Sequence, residues 1–178
     1  MMIMVLGGSG SGKSEYAENL LCARSGELTK YYVATMEAYG EEGHRRVVRH
    51  RRLREGKGFC TLEQSRNVVA LTDRVKDQAV LLECMSNLVA NEMFLPDGTV
   101  KSADAVTEQI LAQMKALEHA ARLLVVVSNN VFEDGVEYDP QTKEYLLALA
   151  SVNGALAARA ECVMEVVVGI PLMVKGSL

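Results

Sequence analysis

Several features that would assign this chain to a functional class are missing from its sequence. The 4 cysteines, Cys22, Cys60, Cys84 and Cys162, form no C-x-x-C pair, which excludes the usual spacing of a zinc knuckle or a redox dithiol. No stretch reaches the roughly 18 apolar residues of a membrane span, and the short apolar run at the N-terminus has no basic leader. We therefore expect a cytoplasmic protein with reduced cysteines and no transmembrane segment.

The sequence also has no long linker, internal repeat or low-complexity segment. Its 178 residues, 49% hydrophobic and 24% charged, are typical of one globular domain spanning residues 1–178. The formal net charge of −4 gives no general affinity for nucleic acid, but positive charge is concentrated in one place. This basic run contains Arg45, Arg46, Arg49, Arg51, Arg52, Arg54 and Lys57.

The most informative stretch is glycine-rich and directly follows the apolar residues 1–6. It reads Gly7, Gly8, Ser9, Gly10, Ser11, Gly12, Lys13, Ser14, a complete G-x-x-x-x-G-K-S phosphate-binding loop. The backbone N–H groups of such a turn and the helix that follows attract phosphate. We expect Lys13 to reach the β- and γ-phosphates and the Ser14 hydroxyl to bind Mg²⁺. A glycine-serine linker would lack the apolar run before the loop and the helical pattern after it.

Apolar runs alternate with helical patterns along the rest of the chain. This order predicts an α/β fold of the P-loop NTPase (RecA-like) type, with a mostly parallel sheet and helices on both faces. Glu83 closes a short apolar run as a Walker B carboxylate does, so we expect it to be a second Mg²⁺ ligand. Strands are predicted at residues 1–6, 30–34, 79–82, 123–127, 163–168 and 172–175, and helices at residues 13–25, 41–55, 64–77, 85–95, 103–122 and 141–161.

The predicted helix over residues 41–55 places Arg46, His50 and Arg54 on one face, at i, i+4 and i+8. Neighbouring positive charge disfavours the imidazolium form of His50, and a neutral ring nitrogen can attack the α-phosphorus of a nucleoside triphosphate. The arginines would then hold phosphate oxygens. Three other interpretations remain open: a solvated basic face, a lid that clamps phosphates in a simple kinase, and a nucleic-acid patch. The absence of interleaved aromatic residues argues against the last.

Taken in order, these residues resemble a known family, the bifunctional adenosylcobinamide kinase/adenosylcobinamide-phosphate guanylyltransferase of cobalamin biosynthesis. Many proteins share the phosphate loop, so the likeness depends mainly on residues 42–54, which are similar to the signature E-M-x-x-R-I-x-x-H-[KR]-x-x-R. The other matching positions are residues 32–35, Thr61 and Glu63, residues 82–84 with Asn91, Asn153, and residues 169–172.

The resemblance implies a two-step enzyme. One step phosphorylates the aminopropanol hydroxyl of adenosylcobinamide with GTP or ATP, through Lys13 and Mg²⁺. In the other, His50 takes GMP from GTP as a phosphoramidate and passes it to the phosphorylated corrinoid, giving adenosylcobinamide-GDP. The resemblance also implies a homo-oligomer, a trimer, with a small-molecule corrinoid rather than nucleic acid as partner. The nucleotide site would include Ala34, Thr35, Met36, Arg46, Arg51, Arg52, Leu53, Arg54, Glu63 and Glu83.

The chain departs from the family pattern in its second half. Asn130 stands where the family has an acid, acidic residues occupy a normally apolar loop at residues 133–139, and Gly154 replaces a glutamine. These changes bear on the corrinoid site and the kinase step more than on GTP binding. Two other functions therefore stay open: a single-step P-loop kinase of a small molecule or nucleotide without a covalent intermediate, and a nucleotide-binding regulator without catalysis.

Overall fold

The structure is a computed structural model that describes residues 1–37, 40–132 and 135–178, with some residues of the second helix described through their backbone only. The helices are α1 (Lys13–Arg24), α2 (Gly40–Arg54), α3 (Met85–Met93), α4 (Ala103–Ala120) and α5 (Pro140–Arg159), with a 3₁₀ helix at Val68–Leu71. The strands are β1 (Met2–Gly7), β2 (Lys30–Ala34), β3 (Phe59–Glu63), β4 (Ala79–Glu83), β5 (Leu123–Asn129), β6 (Cys162–Val167) and β7 (Ile170–Lys175).

These strands form one sheet in the order β3-β2-β4-β5-β1-β6-β7. Every neighbouring pair is parallel except β6 and β7. Strand β1 lies between β5 and β6, where Ile3 is in register with Val125 on one side and Cys162 on the other. Parallel strands covered on both faces read as continuous apolar runs, which is why residues 2–5 are both apolar and fully buried.

Helices cover both faces of the sheet. On one face, Leu21 of α1 packs with Val5 in a core cluster. On the other, α3, α4 and α5 contribute Leu88, Ile110 and Leu149 to a second cluster. The predicted α/β class, with a mostly parallel sheet and helices on both faces, is therefore confirmed.

One prediction of secondary structure is wrong, and one strand is not predicted. In place of the helix expected over residues 64–77, the chain forms turns around the short 3₁₀ helix Val68–Leu71. Its start is fixed by buried side chains, since the backbone N–H of Asn67 donates to Glu92 Oε1 at 2.7 Å and that of Val68 to Gln113 Oε1 at 3.0 Å. The segment 59–63, for which the sequence predicts no element, forms the edge strand β3 beside β2.

The end of the chain also differs from expectation. Strand β7 begins at Ile170, two residues before the predicted position, and runs antiparallel to β6. All of its residues are exposed. Part of the predicted acidic loop, residues 133–134, lies outside the described residues. Within the described ranges, no helix has both the length and the apolar character needed to cross a membrane.

Candidate functional site

The phosphate loop joins β1 to α1 and packs against the turn between β6 and β7. Gly12 has a φ of +89°, and a Cβ at this position would lie 3.3 Å from the Cα of Gly169. The N–H of Gly169 donates to the carbonyl of Ser11 at 2.8 Å. A Cβ at Gly7 would lie 2.6 Å from the carbonyl oxygen of Val166. The loop therefore needs glycine at these positions to place the N-terminus of α1, with its partial positive charge, at the cleft.

Lys13 is the cation of this loop. Its side chain is buried, with 7% exposed, and Nζ donates to the carbonyl of Gly8 at 3.0 Å. Burial lowers the pKa of Lys13 below its usual 10.5, while the charges of Cys84 and Glu83 oppose this shift. A charge shielded from water interacts strongly with a neighbouring phosphate, so this position suits nucleotide binding.

Ser14 and Glu83 meet at the carboxyl end of β4. The Ser14 hydroxyl donates to Glu83 Oε1. Burial raises the pKa of Glu83, against the hydrogen bond from Ser14 and the charges of Lys13 and Arg54. In the part of the chain that the structure describes, no group of three His, Cys, Asp or Glu residues could hold a metal ion. One hydroxyl and one carboxylate still suit Mg²⁺, which prefers oxygen ligands and takes the rest of its shell from water and substrate phosphates.

A cleft of about 1100 Å³ opens in front of the loop. It is bounded by the phosphate loop, by α2, and by the carboxyl ends of β2, β3, β4 and β5, where ligands bind in open α/β sheets. Its volume lies slightly above the usual range for ligand sites, about 300–1,000 Å³. The predicted site residues that line it are Ser9, Gly10, Ser11, Gly12, Lys13, Ser14, Ala34, Met36, Arg51, Arg54, Glu63 and Glu83.

Some predicted residues do not line the cleft. Thr35 is fully buried, and its hydroxyl donates to the carbonyl of Cys84 at 2.8 Å. Thr35 therefore ties the end of β2 to the end of β4. Arg52 is exposed on α2 and is absent from the described lining of the cleft. Gly7 lies in β1, and the carbonyl of Gly8 binds Lys13, so both support the loop from outside the lining.

Helix α2 forms one wall of the cleft, through Val47, Arg51 and Arg54. Arg51 Nη2 donates to Glu63 Oε1 at 2.8 Å, and both side chains are largely exposed. Exposed pairs of this kind contribute about 1 kcal/mol or less. Three further predicted residues of α2 have side chains outside the described part of the structure: Arg46, His50 and Leu53.

Arg54 lies at the C-terminal end of α2 and is buried, with 8% exposed. Its guanidinium carbon lies 3.6 Å from the centroid of the Tyr32 ring, a close cation–π contact. Tyr32 is also buried, and its ring meets that of Phe59 edge to face. Burial raises the pKa of Tyr32, so its hydroxyl stays protonated. Arg54 thus joins α2 to the sheet as well as lining the cleft.

The loops after β2 and β3 are fixed by Asn91. Its Nδ2 donates to the carbonyl of Thr35 at 2.8 Å and to that of Ser65 at 3.0 Å. Arg66 Nε donates to the carbonyl of Asn91 at 2.7 Å, and the Arg66 guanidinium also binds Glu37. Since Glu37 and Ser65 line the cleft, this network shapes one of its walls.

Asn87 and Asn129 are among the cleft residues that the predicted site does not include. Asn129 Nδ2 donates to Ser86 Oγ at 2.6 Å, and the Tyr145 hydroxyl donates to the carbonyl of Ser86 at 3.3 Å. A signal was available, because Asn129 ends a buried parallel strand just as Glu83 does. Asn87 lies in the first turn of a helix and carries no such signal.

Comparison with known proteins identifies the family of this chain. The model of a family described as cobinamide kinase / cobinamide phosphate guanyltransferase matches residues 3–174. The bifunctional adenosylcobalamin biosynthesis proteins CobU of Salmonella typhimurium and Escherichia coli are 30% and 31% identical, each over 98% of this chain and 100% of the relative.

Among solved structures, the ATPase domain of G40P is similar with a TM-score of 0.53 over 92% of this chain and 68% of that one. At 11% identity this likeness concerns the fold alone, and it confirms the predicted P-loop NTPase type. The chain therefore belongs to the cobinamide kinase / cobinamide phosphate guanyltransferase family and is, as the sequence predicts, a bifunctional enzyme of cobalamin biosynthesis.

Proposed function

We propose that both reactions take place in the cleft between the phosphate loop and α2, and that guanylyl transfer proceeds through a covalent bond to His50. The observation that supports this most directly is the arrangement of the cleft. Lys13, Ser14 and Glu83 lie on one side, and an arginine-bearing helix forms another wall. One triphosphate site thus faces a second group of side chains able to bind phosphate.

In the kinase step, the terminal hydroxyl oxygen of adenosylcobinamide attacks the γ-phosphorus of ATP or GTP. The bond from that phosphorus to the bridging oxygen breaks, the nucleoside diphosphate leaves, and the hydroxyl proton is released. The ammonium of Lys13 and the N–H groups at the start of α1 balance the charge on the phosphates. Ser14 and Glu83 would hold Mg²⁺, which supplies charge neutralisation when bound.

In the guanylyl step, a neutral ring nitrogen of His50 attacks the α-phosphorus of GTP. A P–N bond forms, the bond to the bridging oxygen breaks, and pyrophosphate leaves with the electron pair. A phosphate oxygen of the phosphorylated corrinoid then attacks the same phosphorus, and the P–N bond breaks to give the GDP-linked product. The residues of α2 described as lining the cleft all lie within four positions of His50 in the sequence: Val47, Val48, Arg51 and Arg54.

The covalent step is tested with GTP labelled at the α-phosphate. We expect the wild-type protein to take up an acid-labile, base-stable label with release of pyrophosphate. His50→Ala should take up none while still phosphorylating adenosylcobinamide. His119→Ala, an exposed histidine near the end of α4, is the matched control and should label normally. Label retained in His50→Ala, or absent from the wild type, would refute the proposed nucleophile.

We also propose a cytoplasmic homo-oligomer, a trimer as the family resemblance implies. The strand β7 supports self-association, because it is an exposed edge strand with largely apolar side chains that include Ile170, Leu172 and Val174. Unpaired apolar edges of this kind are usually covered by another chain or element. A second copy of this chain would cover it.

A further inference from the structure

Helix α1 contains a buried carboxylate that the mechanism above does not use. Glu18 is completely inaccessible to solvent, and its Oε2 accepts a hydrogen bond from Lys57 Nζ at 2.8 Å. Its other oxygen, Oε1, is buried with no hydrogen-bond partner among the described residues. Burying a carboxylate is costly unless it is paired, so the contact with Lys57 determines whether this site is stable.

Lys57 belongs to the turn that ends α2. Its backbone N–H donates to the carbonyl of Arg54 at 3.0 Å, so the two cations are fixed in one turn. Lys57 reaches α1 through Glu18, whereas Arg54 reaches the sheet through the Tyr32 ring at 3.6 Å. The C-terminal end of α2 is therefore attached to the body of the protein at two points, one an ion pair and the other a cation–π contact.

The ion pair joins the helix that begins at the phosphate loop to the helix that carries the proposed nucleophile. Helix α1 begins at Lys13, and Glu18 follows Ser14 by one helical turn. Helix α2 carries His50 one turn before Arg54. A displacement of about 1 Å can slow a reaction about 100-fold when the reacting groups must be aligned.

We propose that Glu18 is a positioning residue for guanylyl transfer. By binding Lys57 it holds the end of α2 against α1, and so sets the position of His50 relative to the phosphate loop. This inference rests on the proposed role of His50. The kinase step uses groups of the phosphate loop and β4, so the ion pair acts mainly on one of the two reactions.

The test compares both steps in variants of the pair. We expect Glu18→Gln to lower the rate of enzyme–GMP formation at least tenfold, while kcat of the kinase step stays within about twofold. Lys57→Arg keeps the charge and should retain guanylyl transfer. Lys57→Gln alone would leave the buried charge of Glu18 unpaired, which destabilises the fold. The double variant Glu18→Gln/Lys57→Gln has no charge at this site, so guanylyl transfer can be measured in a folded protein that lacks the ion pair.

The matched control is Glu118→Gln, which removes an ion pair with Arg159 that joins α4 to α5, elements that do not line the cleft. It should leave both steps unchanged. Equal loss of the two activities in the folded Glu18 variants, or no loss in either, would overturn the proposal. Labelling of the wild type and of His50→Ala is measured in parallel, so a failure of the nucleophile is distinguished from a failure of the positioning role.

Discussion

At the residue scale, Lys13 and Glu83 are opposite charges largely shielded from water near the same loop. Burial moves the pKa of each group toward its neutral form, downward for the lysine and upward for the carboxylate. Their mutual attraction opposes both shifts. A triphosphate with its cation would place an opposite charge beside each group, so the arrangement favours binding over the stability of the ligand-free protein.

Lys13→Met tests the first of these charges. We expect both the kinase step and enzyme–GMP formation to fall by about 100-fold or more, because a preorganised charge at the reacting phosphates is lost. The fold should persist, since methionine fills a similar volume without a charge to desolvate. The rates are measured with γ- and α-labelled GTP. The exposed Lys115→Met on α4 is the control, and unequal loss of the two steps would mean that they use different phosphate sites.

Glu83→Gln tests the second charge through the pH dependence of stability. The pKa of Glu83 is raised above its usual 4.5 in the folded protein, so its contribution to stability is present at low pH and is lost as the pH rises through the raised value. Glutamine does not titrate and can still accept the hydrogen bond from Ser14. We therefore expect Tm of the ligand-free variant to rise relative to wild type as the pH increases above 4.5.

Each 1 kcal/mol of this difference shifts Tm by roughly 2–4 °C in a domain of this size. The buried carboxylates Glu18 and Glu92 are present in both proteins. Because the charge of Glu83 also raises the pKa of Glu18, its removal lowers that pKa and adds to the same trend. The variant should lose both activities. A difference in Tm that stays constant with pH, or that changes in the opposite direction, would show that the folded protein does not disfavour the ionised form of Glu83.

At the scale of elements, the sequence reveals what is buried more readily than what lies at an edge. The central strands are predictable because burial on both faces requires unbroken apolar runs, as in residues 79–82. Strand β3 is not, because it lies at the sheet edge and only Leu62 of its five residues is buried. The apolar spacing of Val68, Leu71 and Val75 suggests a helix, but buried bonds to Glu92 and Gln113 fix a 3₁₀ turn there instead.

The functional site also combines a feature that the sequence predicts with contacts that it does not predict. The phosphate loop follows from local spacing, because all of its groups belong to one turn. The contacts of Arg54 with Tyr32 and of Lys57 with Glu18 join residues 22 and 39 positions apart, and no local pattern encodes them. Resemblance to a family identifies Arg54 as a site residue, but only the fold brings its guanidinium onto an aromatic ring.

The loops between these elements offer a further prediction. Asn91→Ala removes the amide that binds the carbonyls of Thr35 and Ser65, so the cleft wall after β2 and β3 should loosen and KM for the nucleotide should rise severalfold. Stability should fall by about 1–3 kcal/mol. Ser102→Ala is the matched control, because it removes the N-cap hydrogen bond of α4 and costs a similar amount of stability, about 1 kcal/mol.

Urea unfolding measures the stability change of the two variants, and initial rates at varied GTP measure KM. If Ser102→Ala raised KM as much as Asn91→Ala does, the effect would reflect general destabilisation. If Asn91→Ala left KM unchanged, the loops would not depend on this amide for their shape.

At the scale of the whole molecule, the proposed mechanism places two consecutive reactions in one cleft. The product of the kinase step is the acceptor of the guanylyl step, so the corrinoid phosphate must be accommodated near the same group of phosphate-binding side chains. The phosphate loop follows the central strand β1, whereas α2 follows β2, which lies next to the edge of the sheet. Among the described side chains, α2 and the turn that ends it contact the rest of the protein through Arg51, Arg54 and Lys57. Contacts that fix α2 therefore bear on the second reaction more than on the first.

The exposed strand β7 leads to the last prediction. Leu172 and Val174 are 50% and 64% exposed on an edge strand, and one charge at either position should disfavour pairing with another copy of the chain. We expect Leu172→Lys or Val174→Lys to shift the protein from an oligomer to a monomer in sedimentation velocity experiments. Leu147→Lys replaces an exposed apolar residue of α5 and should leave the oligomer intact. An oligomer that persists in both β7 variants would place the interface elsewhere, and a monomeric wild type would mean that the exposed strand serves another partner.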